Sequence, residues 1–126
     1  MKMMNNNWLL VAGVVAAVTA AAHVVLGQAH MDRVLTADLQ DIDGAVMFAV
    51  WHMASVVLAA AALGFVWLST VAAGSSVRAA ALFGSLLFGG FGVVFVVAST
   101  LFNQPALQWI PMLVISSCAF MGYRRA

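Results

Sequence analysis

The sequence predicts an all-α membrane protein: a four-helix, antiparallel up-down transmembrane bundle in a single domain, with both chain ends inside the cell. Three observations carry that prediction. First, 65% of the 126 residues are hydrophobic and 7% are charged, against about 25% charged in an ordinary water-soluble domain, so the surface itself is suited to lipid. Second, the apolar residues gather into four stretches close to or beyond the roughly 20 residues needed to cross a hydrocarbon layer about 30 Å thick. Third, the breaks between those stretches are short and leave no length for a separate soluble domain.

The first helix is expected over residues 8–30. A signal peptide would also begin with a lysine and an apolar run, but this run is longer than a usual signal core and its polar residues fall on one face. Trp8 would then lie at the membrane interface, where indoles prefer to sit. A connection over 30–43 carries Asp32, Arg33, Asp38, Asp41 and Asp43; a short interfacial helix is expected at 36–40, with Asp41 or Asp43 capping the next helix. The second helix, 44–70, is long enough to require tilt or a protruding end. After a small-residue turn at 71–77, the third runs over 78–100. The fourth is expected at 105–122, with Pro105 in its first turn, where a missing N–H costs little, and a kink at Pro111.

Orientation follows from the basic residues. An N-in arrangement puts Lys2, Arg78, Arg124 and Arg125 inside and only Arg33 outside, which satisfies the positive-inside preference. The expected location is the inner (plasma) membrane, with the acidic first loop in the periplasm or extracellular space.

Composition also excludes functions. A net charge of +1 without a basic patch gives no footprint for nucleic acid. Cys118 is the single cysteine, so neither an intrachain disulfide nor a thiolate metal cage is available. The run Gly89-Gly90-Phe91-Gly92 lies within an apolar helix without a following lysine and is not a phosphate loop. Small residues at helix-contact spacing (Ala60 and Gly64, Ala80 and Gly84, Ser85 and Gly89) indicate close helix packing in lipid.

The chemistry-bearing residues concentrate in 23–52, which holds all three histidines and all four carboxylates. On the first helix Ala12, Ala16, Thr19, His23, Gly27 and His30 form one small and polar stripe. On the second, Ala45, Ala49, His52, Ser55, Ala59 and Ala62 do the same. Polar residues in a spanning helix turn away from lipid, so both stripes should face the bundle interior. His23 and His52 fall at similar depth, about 10–12 Å below the outer ends of their helices, and His30 sits above them at the mouth. Ser99, Asn103, Gln104 and Gln108 belong to the same end.

Three readings follow. In the first, His23 and His52 ligate a metal or a haem, with His30 as a peripheral contributor. Imidazoles on facing helices are how bundles hold cofactors. Gly27, Ala49 and Ala59 would leave room for a macrocycle such as haem b. Copper could add soft donors from Met31, Met47, Met53 and Met112, and zinc is a third possibility. In the second reading the histidines and loop aspartates form a proton relay or serve small-molecule transport; no motif specifies an enzymatic reaction. In the third they are structural, His23 bonding a carbonyl or Ser55 and His52 bonding Thr19.

His23-Val24-Val25-Leu26-Gly27 together with Trp51-His52 resembles a group of small four-helix bacterial membrane proteins. These pair a His-x-x-Leu-Gly stretch ending helix one with a Trp-His stretch in helix two. The likeness covers the layout of the whole chain and about a dozen specific positions. It implies the four-helix architecture and singles out the same histidines, and it implies no particular reaction. This chain has Gln28 where such proteins often carry an acidic residue. The leading expectation is thus an intramembrane histidine pocket, opening outward, that binds a metal or haem. The alternative is a non-catalytic accessory subunit, packed on a membrane protein partner or a second copy through its Gly/Ala-rich third helix.

Overall fold

The computed structural model describes residues 6–37, 42–103, 105 and 107–126, with backbone alone at 30, 33–37, 42 and 43. The described chain is helical with short connections: α1 (Asn7–Ala37), α2 (Ile42–Thr70), α3 (Ser75–Leu101) and α4 (Trp109–Arg125). Three of these contain segments long and apolar enough to cross a membrane: Asn7–Ala29, Gly44–Thr70 and Ser75–Leu101. α4 has 17 residues, about 25 Å of helix, just short of a full span.

α2 and α3 begin two and three residues earlier than expected, at Ile42 and Ser75, and α4 ends at Arg125 rather than 122; the larger corrections are two. α1 does not stop at residue 30 but runs on to Ala37, so Asp32 and Arg33 belong to a helix rather than a loop. A spacing of four lets Gln28 Nε2 donate to Asp32 Oδ1 at 2.8 Å across one turn, which supports the continuation. The expected interfacial helix at 36–40 falls largely outside the described residues, as does a capping role for Asp41. The second correction concerns α4, which begins at Trp109 instead of 105. Pro105 therefore lies in the connection, and Pro111 occupies the first helical turn, where the backbone N–H groups have no intrahelical partner anyway. The kink expected at Pro111 loses its cause. Asn103 closes α3 with φ 49°, a left-handed conformation that asparagine tolerates better than most side chains.

Consecutive helices are antiparallel, yet they do not close into a ring. α1 packs along α2, α3 along α4, and α1 along α4, whereas α2 and α3 scarcely meet. The helices thus form an arc in the order α2–α1–α4–α3. Its core lies towards the end that carries Asn6, Ala126 and the α2–α3 turn. Leu9, Ala12 and Ala16 of α1 are fully buried there, with Ile115 and Ala119 of α4, Ala81 and Phe88 of α3, and Phe65 of α2. Cys118 is buried in the same cluster.

Glycines set the close approaches. A Cβ on Gly13 would lie 3.0 Å from the carbonyl oxygen of Ala62 and the amide nitrogen of Val66, so α1 and α2 touch backbone to backbone. A Cβ on Gly122 would come within 2.4 Å of Leu9. Gly84 receives the ring of Phe65, which stacks obliquely towards Phe88 at 6.3 Å and is the main bridge between α2 and α3. Asn6 fastens this end: its Oδ1 caps α1 by accepting from the Leu9 amide, its Nδ2 donates to the Gly122 carbonyl at 2.9 Å, and its own amide donates to the Ser69 carbonyl at 3.0 Å. One side chain and its backbone thereby join α1, α4 and α2. Arg125 lies over Trp8 and Arg78 over Tyr123, each guanidinium 5–6 Å from the ring centre.

Candidate functional site

Towards the opposite end the arc opens. Beyond Ala16, most of α1 is exposed on several sides, and the space between the helices becomes a chamber of about 970 Å³. All four helices contribute: Thr19, His23 and Gly27 from α1, Trp51 and Leu58 from α2, Phe91 and Phe95 from α3, and Pro111 and Met112 from α4. The α3–α4 connection adds Pro105, Leu107 and Gln108 at the rim. The lining is overwhelmingly apolar, with His23, Thr19 and Gln108 as its polar side chains outside the Trp51 indole.

The wall between α1 and α2 is built by a tight clasp. The Trp51 indole fills the notch over Gly27, where an added Cβ would fall 2.0 Å from the ring atom Cζ2. One turn earlier, the His23 imidazole stacks on the same indole, ring centres 3.9 Å apart and planes 18° from parallel. Its Nε2 lies 3.2 Å from the Trp51 carbonyl oxygen. A carbonyl only accepts, so Nε2 carries the proton and donates. In the neutral ring that leaves Nδ1 as the acceptor nitrogen.

This bond has a cost next door. A helical serine ordinarily satisfies its hydroxyl by donating to a carbonyl three or four residues earlier, which for Ser55 is that of His52 or Trp51. The Trp51 oxygen already receives His23, and the buried Ser55 Oγ has no hydrogen-bond partner. The buried Trp51 Nε1 has none either. Two unpaired polar atoms thus lie one turn apart on the α2 flank of the clasp.

The inward stripe of α2 matches the expected one at Ser55 and Ala62 and departs from it elsewhere. Trp51, Ser55, Leu58, Ala62, Phe65 and Ser69 turn inward, while Ala45, Ala49 and Ala59 are exposed. His52 accordingly sits beside Trp51 on the helix and meets the ring of Phe48 edge-on at 4.2 Å. The large indole, with more apolar area to bury than an imidazole, takes the inward position opposite Gly27. His23 bonds a carbonyl, the structural arrangement among the three readings; the Thr19 hydroxyl donates to the Val15 carbonyl at 2.7 Å rather than to His52. The side chain of His30 lies outside what is described.

Donor sets for a cofactor are sparse. No group of three or more His, Cys, Asp or Glu side chains assembles among the described residues. Of the four methionines singled out as soft donors, Met53 and Met112 line the chamber, Met47 is exposed, and Met31 is buried on α1 away from the lining. The α3 glycines expected to serve a partner are occupied from within: Gly84 by Phe65, Gly89 by Ser116 and Gly92 by Leu113. The sequence offers Trp51 as a residue that packs or gates the pocket, but not its stack on His23, nor the Phe91, Phe95 and Pro111 wall. The available signal was a glycine one turn after His23, the second of two in a helix otherwise rich in valine and alanine.

Comparison of the chain with protein-family models, with curated proteins and with solved structures returns no match.

Proposed function

We propose that this is a membrane protein that binds a lipid-soluble small molecule inside its helix bundle, in the chamber walled by the His23–Trp51–Gly27 clasp. The observation that carries the reading is the chamber: about 970 Å³, lined by all four helices and apolar except for a few polar groups. Ligand sites typically measure about 300–1,000 Å³ and combine an apolar lining with a small number of orienting polar groups. Close packing at the opposite end supports the same reading. A chain able to seat backbone on backbone at Gly13 leaves a large internal space at its other end for a use.

The polar contact in this site is His23. Its Nδ1 has no hydrogen-bond partner among the described residues, so it is available to accept from a ligand or to coordinate one. A haem held by His23 through Nδ1 is a second reading that this free nitrogen favours. Ligation by Nε2 would require breaking its bond to Trp51. His52 as the opposite ligand would require α2 to turn, because its ring rests on Phe48.

The test is the content of protein purified gently in detergent, read by native mass spectrometry, solvent extraction and an optical spectrum. A bound organic molecule that is lost when the chamber is filled by Ala22→Phe or Ala54→Phe supports the proposal. A Soret band lost on His23→Ala selects haem. Empty protein that also fails to take up a lipophilic reporter overturns the proposal.

A further inference from the structure

We infer that the ligand reaches the chamber sideways, from the hydrocarbon of the bilayer, through the cleft between α2 and α3. The inference rests on the chamber being a binding site and adds the ligand's class: a molecule dissolved in the membrane, with a long apolar portion, rather than a solute from water.

The argument starts from the arc. α1 is packed against α2 on one side and α4 on the other, and α4 against α3, so the α2–α3 seam is the loosest of the four around the chamber. That seam is bridged at Phe65, whose ring fills the notch at Gly84 and approaches Phe88. From that point towards the far end of the bundle the two helices part, and the residues flanking the gap also line the chamber. Met53 on α2 and Val94 on α3 belong to that lining and are nevertheless 65% and 64% exposed. A side chain that is at once chamber wall and outer surface marks an opening; Leu26 on α1 and Leu107 in the α3–α4 connection mark another at the rim, and the α2–α3 gap is the one whose flanking helices scarcely meet.

The opening lies within apolar segments. Met53 falls inside the span Gly44–Thr70 and Val94 inside Ser75–Leu101, the two helices of this pair that are long and apolar enough to cross a membrane. The surrounding medium at that level is therefore acyl chain, and an apolar lip in contact with acyl chains admits lipid-dissolved molecules without any desolvation of polar groups. The Phe65–Phe88 bridge forms the floor of the portal.

The occupant that fits is one apolar chain with a hydrogen-bonding group at its leading end. His23 Nδ1 offers an acceptor. The unpaired Ser55 hydroxyl and Trp51 N–H, on the adjoining flank, are the donors that a small rotation of the clasp would free for an oxygen.

Closing the cleft tests this. Met53→Cys and Val94→Cys, in a Cys118→Ser background, are linked by a flexible bis-maleimide in lipid nanodiscs, and a long-chain fatty acid is supplied in the bilayer as the probe. Native mass spectrometry after detergent extraction counts bound probe with time. The unlinked protein should load. Linked protein should load at least about tenfold more slowly, as expected when an entry motion is blocked, and protein loaded before linking should retain its probe. Loading at the same rate after linking overturns the lateral route while leaving the chamber intact. Failure of the unlinked protein to bind the probe, with Ala54→Phe making no difference, overturns the chamber reading and the route with it. A stable dimer in which linking is blocked by a second copy seated in the cleft also overturns the route.

Discussion

The two ends of this bundle use the same kind of residue for opposite results. At the end holding Asn6 and Ala126, glycine lets helices close on one another: Gly13 brings α1 onto the backbone of α2, and Gly122 accepts the side chain of Leu9. At the other end Gly27 also makes a notch, but the notch receives an indole, and the bulk of Trp51 holds α1 and α2 around a chamber instead of collapsing them. In lipid, where apolar association gains nothing from expelling water, contact is decided by how closely surfaces fit. A glycine facing backbone or one aliphatic side chain gives a seam, and a glycine facing tryptophan gives a wall.

The comparison breaks most severely at the seams. Gly13→Leu should cost about 3 kcal/mol or more, since overpacking against backbone leaves nothing flexible to move, and Gly122→Leu, which meets the Leu9 side chain, about 1–3 kcal/mol. Denaturant or thermal unfolding in detergent, followed by circular dichroism, checks this; variants as stable as the parent would remove the close-packed end from the account.

At the chamber wall the same operation should be milder than at Gly13. Gly27→Val must displace the Trp51 ring, and a side chain can rotate away where backbone cannot, so a loss of about 1–3 kcal/mol is expected. The distinguishing readout is fluorescence: Trp51 emission should shift as the indole leaves its notch, and uptake of a lipophilic reporter should fall. Unchanged emission would mean that Gly27 is not what seats the ring.

His23 comes next. His23→Ala removes both the stack and the hydrogen bond to the Trp51 carbonyl, with an expected loss of about 0.6–1.7 kcal/mol for a single polar contact between membrane helices. The freed carbonyl should then receive the Ser55 hydroxyl, so His23→Ala and Ser55→Ala should combine non-additively. A double-mutant cycle that sums to zero coupling would show that the two side chains do not compete for that oxygen.

The architecture was legible because it depends on composition and length. Apolar stretches near 20 residues and short breaks predicted an all-α chain, and the α1 stripe of Ala12, Ala16, Thr19, His23 and Gly27 does turn inward. The α2 stripe was right at Ser55 and Ala62 and misread at Ala45, Ala49 and Ala59. Hydrophobic periodicity fades when both faces of a helix are apolar, and the choice between Trp51 and His52 was settled by a notch on another helix. The start of α4 was misplaced for a related reason: Pro105 and Pro111 are equally acceptable in a first turn, and nothing local chooses between them. A pocket at His23 was expected, but its apolar lining and its extent could not be read, since they exist only because α2 and α3 fail to meet.

The smallest expected effects lie at the seam between α3 and α4 and on the outside of the arc, and together they test whether position or residue type governs the glycines. Ser116 donates to the Ser85 carbonyl at 2.7 Å, and Gly89 leaves room for that hydroxyl. Ser116→Ala should therefore cost about 0.6 kcal/mol, the average for such interhelical bonds. Gly64 and Gly90 have nothing within 4 Å of where a Cβ would stand. Ala at either should change stability by no more than about 0.5 kcal/mol, as for substitutions that touch no packed feature. If Gly90→Ala instead destabilised the protein as much as Gly27→Val does, that face would be in contact with something outside this chain. The glycines of α3 would then divide between a set used within the bundle and one that faces a partner.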